Sequence, residues 1–192
     1  TVVEYTGGST GPALALVCRA KGYRALIVMA DCFTEERFQL MRALGAELEV
    51  IPSVEGRPKV TAQDIANMVA RAAELAARPG YYATDQFNNP YIIPDHRARL
   101  GSEIWTQTEG RVDAFVQSVG TAGSLRGTGE GLRVRDAAIQ IVAVEPAESA
   151  VLSGGPSGAH KIDGVGAGFV VPLWCDDLAD RIEAVSTADA VA

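Results

Sequence analysis

The sequence predicts an α/β fold made of two small layered lobes with mostly parallel sheets. Three observations predict it. Short apolar runs alternate with longer segments of helical period along the 192 residues, the pattern of strands joined by crossover helices. Two glycine-rich turns, Thr6-Gly7-Gly8-Ser9-Thr10-Gly11 and Gly120-Thr121-Ala122-Gly123-Ser124, stand where a strand runs out and a helix begins. Near the middle, Asn88-Asn89-Pro90 breaks the pattern and divides the chain into lobes of residues 1–90 and 91–192.

The apolar runs place strands at Val2–Tyr5, Ala25–Ala30, Glu47–Ile51, Tyr81–Ala83, Ala114–Val119, Ile139–Glu145 and Ile182–Ser186. Between them, Ser9 to Lys21 reads as a helix that stops at Gly22. Thr34 to Leu44 has Thr34 as N-cap, Glu35 and Glu36 in its first turn and Gly45 after its end. Thr61 to Arg78 is alanine-rich and ends before Pro79-Gly80. A further helix runs from Ile93 or Pro94 to Thr108, closed by Gly110, and another follows the second glycine-rich turn. Pro146 to Ala159, rich in glycine, proline and serine, reads as a long loop.

Hydrophobic residues make up 47% and charged residues 21% of the chain, the balance of a globular protein. No run of eighteen apolar residues occurs, so no spanning helix is expected. Thr1 leads directly into a strand-like stretch, without the basic, apolar and cleavage regions of a signal peptide. The net charge of −7 offers no basic stripe for phosphate backbones, which excludes nucleic-acid binding. Cys18, Cys32 and Cys175 are odd in number, widely spaced and remote from His96 and His160, so neither a disulfide framework nor a metal site is expected. A reduced, cytoplasmic setting follows.

The chemistry is expected at the two glycine-rich turns. A helix N-terminus exposes unpaired N–H groups and a partial positive charge, so it receives phosphate or carboxylate well. Glycine lets the backbone come close, and Ser or Thr hydroxyls add donors. Neither turn is a P-loop, because no lysine follows the glycine, and neither has the full spacing of a dinucleotide fingerprint.

The first turn resembles the Thr-Ser-Gly-Asn-Thr-Gly loop of the cysteine synthase (O-acetylserine sulfhydrylase) and cystathionine β-synthase family of pyridoxal-phosphate enzymes. Further segments resemble the same family in the same order: Met41 to Ala46, Gln86-Phe87-Asn88-Asn89-Pro90, Gly101 to Trp105, Val119 to Ser124, Val144-Glu145-Pro146 and His160 to Phe169. The resemblance implies the tryptophan synthase β-subunit-like fold, fold-type II among these enzymes, with this chain as the middle portion. It also implies pyridoxal 5'-phosphate as cofactor, a small amino-acid substrate and a homodimer in the intact form. By resemblance, Gly120, Thr121, Ala122, Gly123 and Ser124 form the cup around the cofactor phosphate, and Gly164 lies beside the cofactor. Thr6, Gly7, Ser9 and Thr10 match the loop that grips the amino-acid carboxylate, Ser9 also facing the cofactor ring, and Gln86 supports that carboxylate. The implied reaction is β-replacement on an activated serine such as O-acetylserine, giving cysteine or a related amino acid.

Three positions depart from the family pattern, and they bear on the amino acid more than on the cofactor. Ser9 stands in place of asparagine and Gly7 in place of serine, so changing both to the family residues is expected to move specificity toward O-acetylserine. Ala122 replaces a glycine, which suits the cup if the backbone there keeps φ negative. The family's cofactor-binding lysine lies upstream of the first loop. Lys21, Lys59 and Lys161 are the lysines here and none matches it, so no catalytic residue is assigned and the 192 residues alone are expected to bind the cofactor through phosphate contacts without turnover. The alternatives are a dehydratase, a cystathionine β-synthase-like enzyme, or a noncatalytic anion-binding module. Trp105, Met29, Met41 and Met68 are expected in the core, His96 at the surface, and Arg126, Arg133 and Arg135 on a solvated helix face.

Overall fold

The computed structural model describes residues 1–192, which form two compact units. The first comprises Thr1–Gln86 with Gly158–Gly164, and the second Phe87–Ser157 with Val165–Ala192. The division thus falls at Gln86, just before the expected turn, and the His160 segment, which the sequence reading put in the later lobe, clusters with the first unit. There Val60 and His160 form an antiparallel bridge.

In the first unit, strands β1 (Val2–Tyr5), β2 (Ala25–Ala30), β3 (Glu47–Ile51) and β4 (Tyr82–Ala83) form a parallel sheet in the order β3-β2-β1-β4. β1 and β2 are central and buried on both faces, which is why Ala25–Ala30 reads as a continuous apolar run. Helix α1 (Thr10–Lys21) ends at Gly22, whose φ of 74° closes the last turn in the left-handed region. Helix α2 (Glu35–Ala43) starts after Thr34, which has the extended N-cap backbone but makes no side-chain capping bond.

Helix α3 (Ala62–Ala76) packs against β1 and β2 through Met68, Ala72 and Leu75. Its start is a reciprocal capping box. Thr61 Oγ1 accepts the Asp64 N–H, and Asp64 Oδ2 accepts the Thr61 N–H at 2.8 Å and its hydroxyl at 2.7 Å. Asp64 Oδ1 takes the Val54 N–H at 2.7 Å, so a fully buried carboxylate ties the preceding loop to the helix. Met29, Met41 and Met68 all lie in the core, as expected.

In the second unit, β5 (Ala114–Ser118), β6 (Gln140–Pro146) and β7 (Arg181–Val185) form a parallel sheet in that order. The single helix expected to end at Thr108 is two, α4 (Ile92–Ala98) and α5 (Leu100–Gln107), parted at Arg99, whose ψ of −75° turns the axis. Helix α6 (Gly123–Arg133) packs closely on both. A Cβ at Gly127 would lie 2.3 Å from the Ile93 carbonyl oxygen, and one at Gly131 2.8 Å from that of Arg97. The glycine-rich face therefore permits backbone-to-backbone approach.

Three expectations fail here for reasons of tertiary contact. Arg126 and Arg133 are half-buried: Arg126 pairs with Glu130 and reaches the Leu173 carbonyl, and Arg133 pairs with Asp180 at 2.6 Å. Trp105 is half-buried rather than in the core, laid over Gly110 at the end of α5. His96 is half-buried beside Gly127. The stretch after Pro146 begins with a single 3-10 turn, Ala147–Ser149, and a short helix α7 (Thr187–Ala190) follows β7.

Candidate functional site

At the carboxyl end of β1, the chain leaves the sheet after the Thr6 N–H has bonded the Val28 carbonyl. The Thr6 hydroxyl accepts the Gly8 N–H at 3.0 Å, curling the loop back on itself. An Arg37 guanidinium nitrogen donates to the Gly7 carbonyl, and another pairs with Asp163 at 3.1 Å. The loop is thereby fastened to α2 and to the segment carrying Gly164, whose Cα lies 3.6 Å from where a Gly8 Cβ would stand. Ser9 occupies the N-cap of α1, is exposed and makes no side-chain capping bond.

Gly7 is glycine for a reason that the sequence does not show. A Cβ there would lie 2.0 Å from two carbons of the Phe33 ring, which is buried beneath the loop. The aromatic ring takes the space where the family loop carries a serine side chain. A Gly7→Ser substitution therefore requires Phe33 to move, a steric demand that the expected paired change of Gly7 and Ser9 to the family residues must meet.

Gln86 lies beside the start of α1. Its Oε1 accepts the Thr10 hydroxyl at 2.9 Å, its Nε2 donates to the Tyr5 carbonyl at 2.5 Å, and its backbone N–H donates to Glu4 at 3.2 Å. Thr10 thus spends its one hydroxyl proton on Gln86. The amide keeps a second N–H beyond the one given to Tyr5, the donor that remains for a carboxylate.

Sequence reasoning passed over Glu4. Its carboxyl is buried and accepts the Thr84 hydroxyl at 2.6 Å and the Tyr5 N–H at 2.9 Å besides that of Gln86. Burial pushes its pKa up to about 7, with the neighbouring Asp85 adding to the rise, while these three bonds oppose it. Asp85 accepts the Tyr5 phenol at 2.6 Å from a backbone with φ of 46°. The available signal was a carboxylate between apolar neighbours in a central strand.

The second unit carries the other turn. Gly120 to Ala122 follow β5, and α6 begins at Gly123. Ala122, the N-cap, has φ of 66° and ψ of −12°, so the negative φ expected for an alanine here is not kept. The left-handed residue swings the chain from the strand into the helix and leaves the N–H groups of the turn and first helical residues without backbone acceptors, as helix geometry dictates. Gly123 N–H has only the long 3.4 Å contact to Thr121 Oγ1. Gln117 Nε2 donates to Ser124 Oγ, which leaves the serine proton free to turn toward a ligand. The Gly166 N–H bonds the Val119 carbonyl, bringing Gly166 beside the turn. A small depression there is lined by Gly120, Glu145, Leu152, Gly166, Ala167 and Phe169. Its Glu145 is saturated by the N–H groups of Leu152 and Ser153 and by the Ser153 hydroxyl, so it forms wall rather than a free acid or base.

The donor set fits a phosphate: a helix N-terminus, backbone N–H groups without backbone acceptors and the Ser124 hydroxyl. No group of His, Cys, Asp and Glu is arranged to hold a metal ion. Cys18 and Cys32 are buried and Cys175 half-buried, all as free thiols. Lys59 pairs with Glu55 at 2.6 Å, while Lys21 and Lys161 are exposed. No helix is long and apolar enough to cross a membrane.

A family model described as pyridoxal-phosphate dependent enzyme matches residues 1–192. Cysteine synthase of Staphylococcus aureus (strain Mu50) is 41% identical over 183 residues, 95% of this chain and 56% of that protein. Among solved structures, cysteine synthase from Entamoeba histolytica is 38% identical with a TM-score of 0.84, covering 98% of this chain and 54% of that one. An O-acetylserine dependent cystathionine beta-synthase from Helicobacter pylori is 34% identical with a TM-score of 0.87, covering 97% and 58%. The parallel α/β architecture is therefore that of the cysteine synthase-like structures, fold-type II as expected, and the chain spans about half the length of the relatives it matches.

Proposed function

Because the chain belongs to the pyridoxal-phosphate dependent enzyme family, we propose that it forms the cofactor-phosphate and substrate-carboxylate part of an enzyme catalysing β-replacement on an activated serine such as O-acetylserine, giving cysteine or a related amino acid. The observation that carries the reading is the start of α6, where unpaired N–H groups and the freed Ser124 proton form an anion cup. Gly120 to Ser124 would hold the phosphate of pyridoxal 5'-phosphate, with Gly164 and Ser9 nearer its ring. When bound, the cofactor supplies an electron sink for charge developing at the amino acid's α-carbon.

The protein's own residues bind and orient. Gln86 presents its second N–H to the amino-acid carboxylate, the N–H groups at the start of α1 add their partial positive charge, and Thr10 keeps the amide from rotating. Thr6 and Arg37 shape the loop from within. The relatives' names support an O-acetylserine substrate, and Gly7 and Ser9, which stand where the family loop carries serine and asparagine, support an amino acid that differs in detail from theirs. A reduced, cytoplasmic setting, supported by the free thiols, and a homodimer, as the family resemblance implies, complete the proposal.

Ser124→Ala in the full-length protein tests the cup. Gly123 is unsuited to the purpose, since a Cβ there would meet Ile92 at 2.8 Å. Loss of one charge-assisted hydrogen bond should weaken pyridoxal 5'-phosphate binding about 10-fold, read from cofactor absorbance. Unchanged affinity, or a wild-type protein that turns over neither O-acetylserine nor L-serine with sulfide once loaded, would refute the proposal.

A further inference from the structure

Glu4 is 1% exposed in a central strand, and the charged group beside it is another carboxylate, Asp85, rather than a cation. A buried acid without a cation is costly unless hydrogen bonds hold it. Its three donors converge on one place. The Tyr5 N–H belongs to the residue whose carbonyl receives Gln86 Nε2, Thr84 begins the segment that ends in Gln86, and the third donor is the Gln86 N–H itself. Residues distant in sequence are thus joined by one side chain, immediately below the amide that faces the ligand.

We propose that Glu4 is the positioning residue of the amino-acid subsite: its carboxylate fixes the Thr84–Gln86 backbone and the Tyr5 carbonyl so that the free N–H of Gln86 is held toward the substrate carboxylate. This rests on the reading of Gln86 given above. Glu4 Oε2 accepts from both Thr84 and Gln86. A proton placed on Oε2 must itself be donated. Thr84 then accepts it and turns its own hydroxyl to the Val3 carbonyl, already 3.4 Å away, while the Gln86 N–H faces a weaker acceptor. The charged form of Glu4 therefore holds Gln86 and the neutral form loosens it, so amino-acid affinity rises as pH passes upward through the midpoint near 7.

The test uses the full-length protein with glutamine and tyrosine ¹⁵N-labelled, first without ligand. The backbone N–H signals of Gln86 and Tyr5 should titrate together with a midpoint near pH 7 and should be flat in Glu4→Gln. Dissociation constants for L-serine and O-acetyl-L-serine at pH 8, followed by cofactor absorbance, should rise about 10-fold in Glu4→Gln, with cofactor affinity unchanged. Should Glu4→Gln fail to fold, Thr84→Val removes a bond that favours the charged form and must move the Gln86 midpoint upward. Flat wild-type signals, a Thr84→Val midpoint that does not move, or a Glu4→Gln protein that binds amino acids as the wild type does would overturn the inference, as would equal loss of cofactor and amino acid. If Gln86 titrates as described but the wild type binds neither amino acid, the hold of Glu4 on Gln86 stands and the amino-acid reading falls.

Discussion

The contact between Gly7 and Phe33 can be tested by a cycle of substitutions. A methyl group built on Gly7 falls 2.0 Å from two ring carbons of Phe33 and 2.6 Å from a third, far inside the ~3.5–4 Å separation of carbons in contact. Gly7 is outside the left-handed region, so the penalty of Gly7→Ala is overpacking alone, about 1–3 kcal/mol. Phe33 is buried, and Phe33→Ala should cost about 3–5 kcal/mol through the cavity it leaves. In the double variant the new methyl groups meet no ring. The two costs should then fall short of additivity by at least ~1 kcal/mol, as expected for residues in direct contact. Urea unfolding of all four proteins, with the slopes compared to confirm a common unfolded state, gives the coupling. Additivity within about 0.5 kcal/mol would show that the ring does not occupy the space above Gly7.

Glu4 makes stability depend on pH in an unusual direction. With a folded pKa of about 7 against 4.5 for the ordinary group, the folded state holds the extra proton, so stability should fall by about 3 kcal/mol as pH rises from 4.5 to 7 and level off above. Glu4→Gln should remove that slope in denaturation curves at several pH values; a slope that persists would exclude Glu4 as its source. Asp64→Ala should leave the Val54 N–H and both Thr61 donors without their acceptor. A cost of about 3 kcal/mol is expected in thermal or urea unfolding, and one below ~1 kcal/mol would show that water replaces the carboxylate.

What the sequence discloses is what local pattern determines. Ala25–Ala30 is apolar throughout because both faces of β2 are buried, and Thr61 three residues before Asp64 announces its own helix start. Both glycine-rich turns from strand to helix were legible from glycine and hydroxyl residues after apolar runs. Tertiary partners were not. Nothing near Gly7 names Phe33, nothing near Arg133 names Asp180, and the pairing of Thr10 with Gln86 depends on β1 and β4 lying side by side. The break at Arg99 escaped notice because residues 93–108 keep helical composition across it, while the change of axis follows from packing against α6. Glu4 was missed because burial, rather than residue type, gives it its character.

Ala122 has a consequence for how freely this turn can change over generations. A left-handed backbone penalises alanine by about 1–2 kcal/mol, yet burying its methyl group returns about 0.8 kcal/mol. A glycine in the same place would lose about 0.5–1 kcal/mol more chain entropy on folding. The opposing effects nearly cancel at this buried residue with φ of 66°. Glycine and alanine are thus close to interchangeable there as far as folding is concerned, and either leaves the backbone N–H groups of the turn in place. Position 122 can drift between the two without selection noticing, whereas any larger side chain would carry the same backbone penalty at a site that is 3% exposed.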